Sequence, residues 1–72
     1  MEENMYKKIS QRIKDIRIEL GLSQSQFGEK LFVSQDTVSL WELGKSLPST
    51  EYVIRLATEF ELSADYILCL EN

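Results

Sequence analysis

Two short amphipathic patterns occupy the middle of the chain, and only three residues separate them. In the first, Ser23 is a favourable N-cap for a helix of about residues 24–31, and Gln26 can complete a capping box. In the second, Ser34 is a favourable N-cap for a helix of about residues 35–43. Two short helices with so short a connection must pack closely against each other.

The inner positions of both predicted helices are apolar, and Gly28 lies where the two would cross. A large side chain at Gly28 would hold the helices apart. The apolar positions are Phe27, Leu31, Val33, Val38 and Trp41. Two short helices joined by a three- or four-residue turn, the second with an outward polar face, form a helix-turn-helix motif.

The other segments also have helical periodicity, so we predict an all-α fold of five helices. Ser49 and Ser63 are N-cap candidates for a fourth helix of about residues 50–60 and a fifth of about residues 64–70. Sustained period-2 alternation and hairpin turn dipeptides are absent from the sequence. The predicted core positions outside the central pair are Ile9, Ile13, Ile16, Leu20, Val53, Leu56, Ala57, Phe60, Ile67 and Leu68.

The composition is that of one small globular domain without metal or disulfide chemistry. A chain of 72 residues with 43% hydrophobic residues is one domain, which we place at residues 1–72 with a core of about residues 6–70. Cys69 is the single cysteine and the chain has no histidine, so we expect no disulfide, metal or cofactor. No segment approaches the roughly 20 apolar residues of a membrane helix, so we expect a soluble cytoplasmic protein.

The net charge of −4 argues against nucleic-acid binding through bulk electrostatics, but the charges are unevenly distributed. Residues 1–45 contain seven Lys or Arg and seven Asp or Glu, whereas residues 46–72 contain one Arg and five acidic residues. The acidity therefore belongs to the C-terminal third, and the part that contains the two central helices is neutral.

Three stretches of the sequence are distinctive: "GLSQ" at the start of the second helix, "VSQDTVSLWELGKSLPS" through the third helix and the following loop, and "LSADYIL" near the end. Together they resemble the Cro and lambda-repressor-like family, also called Xre-type helix-turn-helix regulators, from about Ile9 to Leu70. The resemblance implies a compact five-helix domain whose third helix enters the DNA major groove. It also implies that the start of the second helix lies on the phosphate backbone.

The same resemblance implies a set of DNA-binding residues in the second helix, the third helix and the loop after it. They are Gln24, Gln35, Asp36, Thr37, Ser39, Leu40, Lys45 and Ser46. Gln24, Lys45 and Ser46 match phosphate-contacting positions, and the others match positions that reach base edges or nearby sugar-phosphate. Glutamine can bond adenine N6 and N7 together, hydroxyls can bond several base edges, and helix N-termini present free N–H groups to phosphate.

The third helix differs from that of many relatives because it has no basic residue. Gln35 and Leu40 occupy positions where many relatives have Arg or Lys. Asp36 could accept a hydrogen bond from cytosine N4 but would be repelled by phosphates, and Leu40 could contact a thymine methyl or belong to a protein-binding patch. We therefore expect weak non-specific binding and dependence on dimerisation.

Phe32 is a second difference, since the turn between the two helices is often glycine in this family. The backbone there favours positive φ, and a bulky residue in that conformation costs on the order of 1 kcal/mol. The cost is tolerable if the ring packs against neighbouring apolar groups.

The leading hypothesis is a sequence-specific DNA-binding transcriptional regulator of the repressor type, which binds double-stranded DNA as a homodimer on a palindromic operator. The alternative is a protein-interaction module, such as an anti-repressor or antitoxin, that kept the fold with weak or no DNA binding; the non-basic third helix favours it. An enzyme is not expected, because the chain has no histidine, no nucleophile with an evident base and no glycine-rich phosphate loop. A membrane or a small-molecule ligand is not expected as a partner.

Overall fold

A computed structural model of the protein describes residues 2–71, with side chains from residue 5 onward. The described chain forms five helices and no strand: α1 (Glu2–Glu19), α2 (Gln24–Leu31), α3 (Gln35–Glu42), α4 (Thr50–Phe60) and α5 (Ala64–Ile67). The predicted all-α architecture is therefore confirmed. Met1 and Asn72, which the predicted domain includes, lie outside the described residues. Within residues 2–71, no helix is long and apolar enough to cross a membrane.

One apolar core joins all five helices. The Phe27 ring of α2 stacks on the Phe60 ring of α4 with centroids 5.3 Å apart, and Trp41 of α3 lies 5.9 Å from Tyr52 of α4. Trp41 is 2% exposed, so its predicted structural role is confirmed. The buried apolar residues are Ile9, Ile13, Ile16, Phe27, Leu31, Val38, Trp41, Val53, Leu56 and Ile67.

Serine side chains cap the N-termini of three of the helices. Ser23 Oγ accepts the Gln26 N–H at 3.0 Å and Gln26 Oε1 accepts the Ser23 N–H at 2.9 Å, so the predicted capping box is present. Ser34 and Ser63 each accept a backbone N–H from three residues further on. Ser49 is the N-cap of α4 as predicted, but its side chain makes no capping hydrogen bond. The Ser49 backbone is extended, and its carbonyl accepts the Val53 N–H at 2.9 Å. α4 therefore begins at this residue without a hydrogen bond from the Ser49 hydroxyl.

Each of the five helices is followed by a residue with positive φ. Two of these are glycines, Gly21 and Gly44; the others are Phe32 (62°), Glu61 (55°) and Cys69 (60°). In this left-handed conformation the chain turns back, and the N–H groups after the helix bond carbonyls of its last turn. A residue with a Cβ costs about 1–2 kcal/mol there, so three helix ends carry backbone strain.

At the ends of α1 and α5, the helical pattern was predicted to continue further than the helices do in the structure. α1 ends at Glu19, so Leu20 leaves the helical face and is 44% exposed instead of joining the core. α5 ends at Ile67 and not at Leu70, because Cys69 has positive φ and the next N–H turns back to the Asp65 carbonyl at 2.8 Å. Neither glycine nor proline marks this second end in the sequence.

Gly28 is buried where α2 meets the turn that follows it. A Cβ built on Gly28 would lie 2.6 Å from the backbone carbonyl oxygen of Val33. The predicted close approach is present, but the neighbour is the backbone of the turn and not a side chain of α3. Since a backbone atom cannot rotate away, this position requires glycine.

Arg12 of α1 fixes the segment that follows α5. Its guanidinium carbon lies 4.0 Å from the centre of the Tyr66 ring, and Nη1 donates to the Tyr66 carbonyl. The same nitrogen is 2.8 Å from Glu71 Oε1, and this hydrogen bond lowers the pKa of Glu71. Arg12 therefore has a structural role beyond that of a solvated basic face.

We expect Gly28→Ala to lower the free energy of unfolding by about 1–3 kcal/mol in urea denaturation, because the added methyl overlaps backbone. Without the overlap, alanine would stabilise the helix by about 1 kcal/mol relative to glycine. A fall in the free energy of unfolding would therefore show that the methyl overlaps the backbone. Ser25→Ala, at an exposed position of the same helix, is the control and should leave stability unchanged or slightly higher. Unchanged or raised stability of Gly28→Ala would show that the close approach is absent.

The Arg12–Glu71 pair should make stability depend on pH. Because the pKa of Glu71 is lower in the folded chain, its contribution is complete above the unfolded pKa and is lost as pH falls through the folded pKa. The difference in thermal stability between the protein and Glu71→Gln should be constant from about pH 7 to about pH 5 and shrink below that. Glu59→Gln, at an exposed carboxylate outside this pair, is the control; equal pH profiles for the two variants would contradict the pairing.

Candidate nucleic-acid interface

The helix-turn-helix consists of α2, the turn of residues 32–34, and α3. Ser34 Oγ accepts the Thr37 N–H at 3.1 Å and fixes the first turn of α3. Val38 and Trp41 are buried on the inner side of α3. With these two side chains anchored in the core, the opposite side of α3 faces outward.

This outward side has side chains at helical spacing. Asp36, Leu40 and Leu43 recur at intervals of four and three residues, with Gln35 and Ser39 beside them. Gln35 and Asp36 are exposed, Ser39 is half-buried, and Leu40 and Leu43 are 42% and 66% exposed. We call these five residues the α3 face. It combines amide, carboxylate, hydroxyl and apolar groups, and its only charge is negative.

Thr37 lies at the edge of α3 and not on the α3 face. It is half-buried, and its hydroxyl oxygen is 3.1 Å from Ser34 Oγ, with which it shares a hydrogen bond. Beyond the other end of α3, Lys45 is exposed and Ser46 is half-buried. Their backbone N–H groups turn back to the Leu40 carbonyl at 3.0 and 3.4 Å, so the loop that carries them is anchored to the helix.

Gln24 is connected to a nearly buried carboxylate. The Glu42 side chain is 5% exposed, and its Oε1 accepts from Gln24 Nε2 at 3.1 Å and from Arg17 Nη2 at 3.0 Å. Glu42 Oε2 accepts from Arg17 Nε at 2.6 Å, and Arg17 Nη1 donates to the Leu22 carbonyl at 3.0 Å. One carboxylate thus joins α1, α2 and α3. The hydrogen bond to Glu42 raises the pKa of Arg17, so the guanidinium remains charged.

The bond to Glu42 leaves Gln24 able to contact a second acceptor. A side-chain amide has two N–H donors, and Gln24 uses one of them on Glu42. Gln24 is also the first residue of α2, beside free backbone N–H groups. The end of α2 therefore offers donors from a side chain and from the backbone at the same place.

The Arg17–Glu42 pair was not predicted from the sequence. The two residues are 25 positions apart, so no local pattern connects them. The available signal is the carboxylate directly after Trp41, at the end of a helix whose inner side is buried. Within the α3 face, Leu43 alone lies outside the predicted DNA-binding set.

Phe32 adopts the predicted left-handed conformation, with φ 62° and ψ 39°. The residue is 80% exposed, so burial in the core does not compensate the backbone strain. The ring centre lies 5.5 Å from the Arg55 guanidinium carbon. The expected condition for tolerating this residue, apolar packing of the ring within the domain, is not met.

A family model described as helix-turn-helix matches residues 13–67, which is more than half of the chain. The protein therefore belongs to this family, the Cro/C1-type helix-turn-helix proteins. Members of this class are DNA-binding transcriptional regulators and not enzymes.

Particular relatives agree with this class. The fold is similar to that of the P22 c2 repressor, solved in complex with synthetic operator 9T in the presence of Tl+, with a TM-score of 0.76 and 29% identity over 82% of this chain and 89% of that one. The chain is 30% identical over 63 residues to the HTH-type transcriptional activator BcrR of Enterococcus faecalis, covering 88% of this chain and 31% of BcrR. It is 28% identical over 61 residues to the uncharacterized HTH-type transcriptional regulator YgzD of Bacillus subtilis (strain 168), covering 85% of this chain and 92% of YgzD. The chain thus spans about a third of BcrR and nearly all of YgzD.

We expect the Arg17–Glu42 pair to show strong coupling in a double-mutant cycle. Glu42→Leu should cost about 3–5 kcal/mol in urea denaturation, because it leaves the Arg17 guanidinium largely buried without its partner. Arg17→Met combined with Glu42→Leu should cost less than Glu42→Leu alone. The control is the exposed pair of Arg55 and Glu51, for which removal should cost about 0.3–0.5 kcal/mol. Additive costs at Arg17 and Glu42 would contradict the coupling.

Proposed function

We propose that the protein is a sequence-specific transcriptional repressor that binds a palindromic operator as a homodimer. The α3 face would enter the major groove, with the half-sites about 34 Å apart. The observation that carries this proposal is the construction of α3: its inner side is anchored in the core, and its outer side presents hydrogen-bonding and apolar groups. The similarity to a repressor solved with its operator supports it.

The proposed base contacts follow from the chemistry of the α3 face. Gln35 at the start of the helix can bond adenine N6 and N7, and Asp36 can accept from cytosine N4. Ser39 can bond several base edges, and Leu40 can pack against a thymine methyl. An operator half-site that offers adenine, cytosine and thymine in the major groove fits these groups.

The proposed phosphate contacts flank the α3 face. Gln24 and the N-terminus of α2 lie on one side, and Lys45 and Ser46 lie beyond the end of α3 on the other. Thr37, at the edge of α3, would contact nearby sugar-phosphate. These groups position the helix without specifying sequence.

The charge distribution implies weak attraction to DNA in general. The α3 face has no cation, and Arg12 and Arg17 are engaged in ion pairs inside the domain. Non-specific affinity grows with the number of phosphates that basic residues neutralise. Stable binding would then depend on base contacts and on two copies acting together. We also propose that this activity is cytoplasmic.

The test is binding to the DNA that flanks the protein's own gene, by footprinting at about 50 and 200 mM salt. Gln35→Ala should weaken specific binding by about tenfold or more, since a bidentate base contact is worth about 1–3 kcal/mol. Lys45→Ala should weaken binding to all sequences alike and reduce the salt slope by about one. Glu19→Ala, at an exposed position of α1 outside both the α3 face and the residues around the turn after α2, is the control and should leave specific binding unchanged.

Three results would contradict parts of the proposal. Binding to flanking DNA no tighter than to random DNA at about 50 mM salt would favour the alternative, an interaction module of the anti-repressor or antitoxin kind. Equal affinity for a half-site and for an inverted repeat would exclude the homodimer. A reporter gene placed behind the footprinted site should lose expression when the protein is present, and a gain would overturn the repressor assignment.

A further inference from the structure

A groove of about 330 Å³ lies between the turn after α2 and the outer side of α4, apart from the α3 face. It is lined by Lys30, Phe32, Ile54, Arg55, Thr58 and Glu59. Phe32 and Ile54 are 80% and 59% exposed, and Phe32 has the highest exposed fraction of the large hydrophobic residues in the described part of the chain. We call these six residues the turn groove.

The conformation of Phe32 requires an explanation outside the packing of this domain. Its φ of 62° is strained for a residue with a Cβ, whereas glycine would form the same turn without that cost. The ring contributes little to the core because it is mostly exposed. Strain that the local fold does not require is a reason to look for function.

Arg55 forms an ordered part of the turn groove. It donates to the Leu31 carbonyl at 3.5 Å and to Glu51 at 3.1 Å. Its guanidinium carbon lies 5.5 Å from the ring centres of both Phe32 and Tyr52. These contacts connect the turn to α4, so Phe32 and Ile54 are presented together.

The charges of the turn groove suit a second copy of the same chain. Lys30 and Glu59 carry opposite signs, and Arg55 is already paired with Glu51. An apolar centre with both signs around it can be self-complementary, as a two-fold contact requires. The C-terminal third is otherwise acidic, so contacts between two copies through that part of the surface would bring like charges together.

The turn groove lies close to the start of α3, the helix proposed to bind DNA. Phe32 is two residues before Ser34, which caps the helix that carries the α3 face. With α3 in the major groove, the turn groove would lie beside the duplex, within reach of a protein on neighbouring DNA. Two exposed apolar side chains fall far short of the roughly 800 Å² per partner in a stable complex. Such a contact matters only where DNA raises the effective concentration of a second copy.

We propose that the turn groove joins copies of this protein bound at adjacent operator sites, with Phe32 of each copy packing against Ile54 of the other. The contact makes binding to paired sites cooperative. This inference rests on the proposed function, because it requires that the protein binds DNA.

The experiment compares DNA duplexes that carry one or two copies of the footprinted site. In the unaltered protein, the first bound copy should tighten binding at the second site by about tenfold, within the range typical of coupled sites. Inserting about five base pairs, half a helical turn, should remove the effect, because the second copy then lies on the opposite side of the duplex.

Phe32→Gly removes the ring and keeps the turn. Single-site affinity should be unchanged and cooperativity should be lost, without a fall in the free energy of unfolding, since the strain is relieved. Glu61→Gly is the matched control, because Glu61 has a similar φ of 55° at the end of α4 and lies outside the turn groove. That variant should keep cooperativity.

A second pair of variants tests the other side of the contact. Ile54→Asn should abolish cooperativity, whereas Ile18→Asn, which changes a residue 55% exposed on α1, should not. Additive binding at every spacing, or cooperativity that survives both Phe32→Gly and Ile54→Asn, would overturn the contact and leave the turn groove to a different protein. Failure of single-site binding by the unaltered protein would overturn the proposed function as well, so the two failures are distinguishable.

Discussion

The carboxylate of Glu42 accepts hydrogen bonds from two other helices, and the arrangement of the helix-turn-helix depends on it. Arg17 binds both of its oxygens and Gln24 binds one of them. Because Glu42 is the last residue of α3, this contact fixes the angle of α3 relative to the start of α2. It also brings Gln24 to the place where a phosphate contact is proposed. A structural ion pair and a candidate DNA contact are therefore parts of one hydrogen-bond network.

The ends of the helices require a second feature, a residue with left-handed backbone conformation after each helix. At Gly21 and Gly44 the residue suits the conformation, whereas Phe32, Glu61 and Cys69 adopt it with a Cβ. The turn after α5 is nevertheless fixed, because Arg12 binds the Tyr66 carbonyl and Glu71 on either side of it. Phe32 has no comparable support from burial, which is why the turn groove is the part of the surface that the domain's own packing explains least.

Groups that could attract phosphate and the side chains of the α3 face lie in different parts of the structure. Basic residues are absent from it, and two arginines of α1 are engaged in ion pairs. Groups that can bind phosphate lie at the start of α2 and in the loop after α3, while amide, carboxylate and leucine side chains face outward between them. This distribution is consistent with a family whose members are DNA-binding transcriptional regulators.

Local patterns were sufficient for the five helices, for the capping box at Ser23 and for the core positions of α2 and α3, because caps and periodicity depend on residues within one or two turns. They also placed Gln35, Asp36 and Leu40 on the outside of α3. The early end of α5 and the exposure of Leu20 were missed, since a left-handed cysteine and the last residues of a helix leave no clear pattern. Only the tertiary structure decided that Glu42 joins Arg17 and Gln24 and that Phe32 and Ile54 line one groove, because each arrangement brings together residues far apart in the chain.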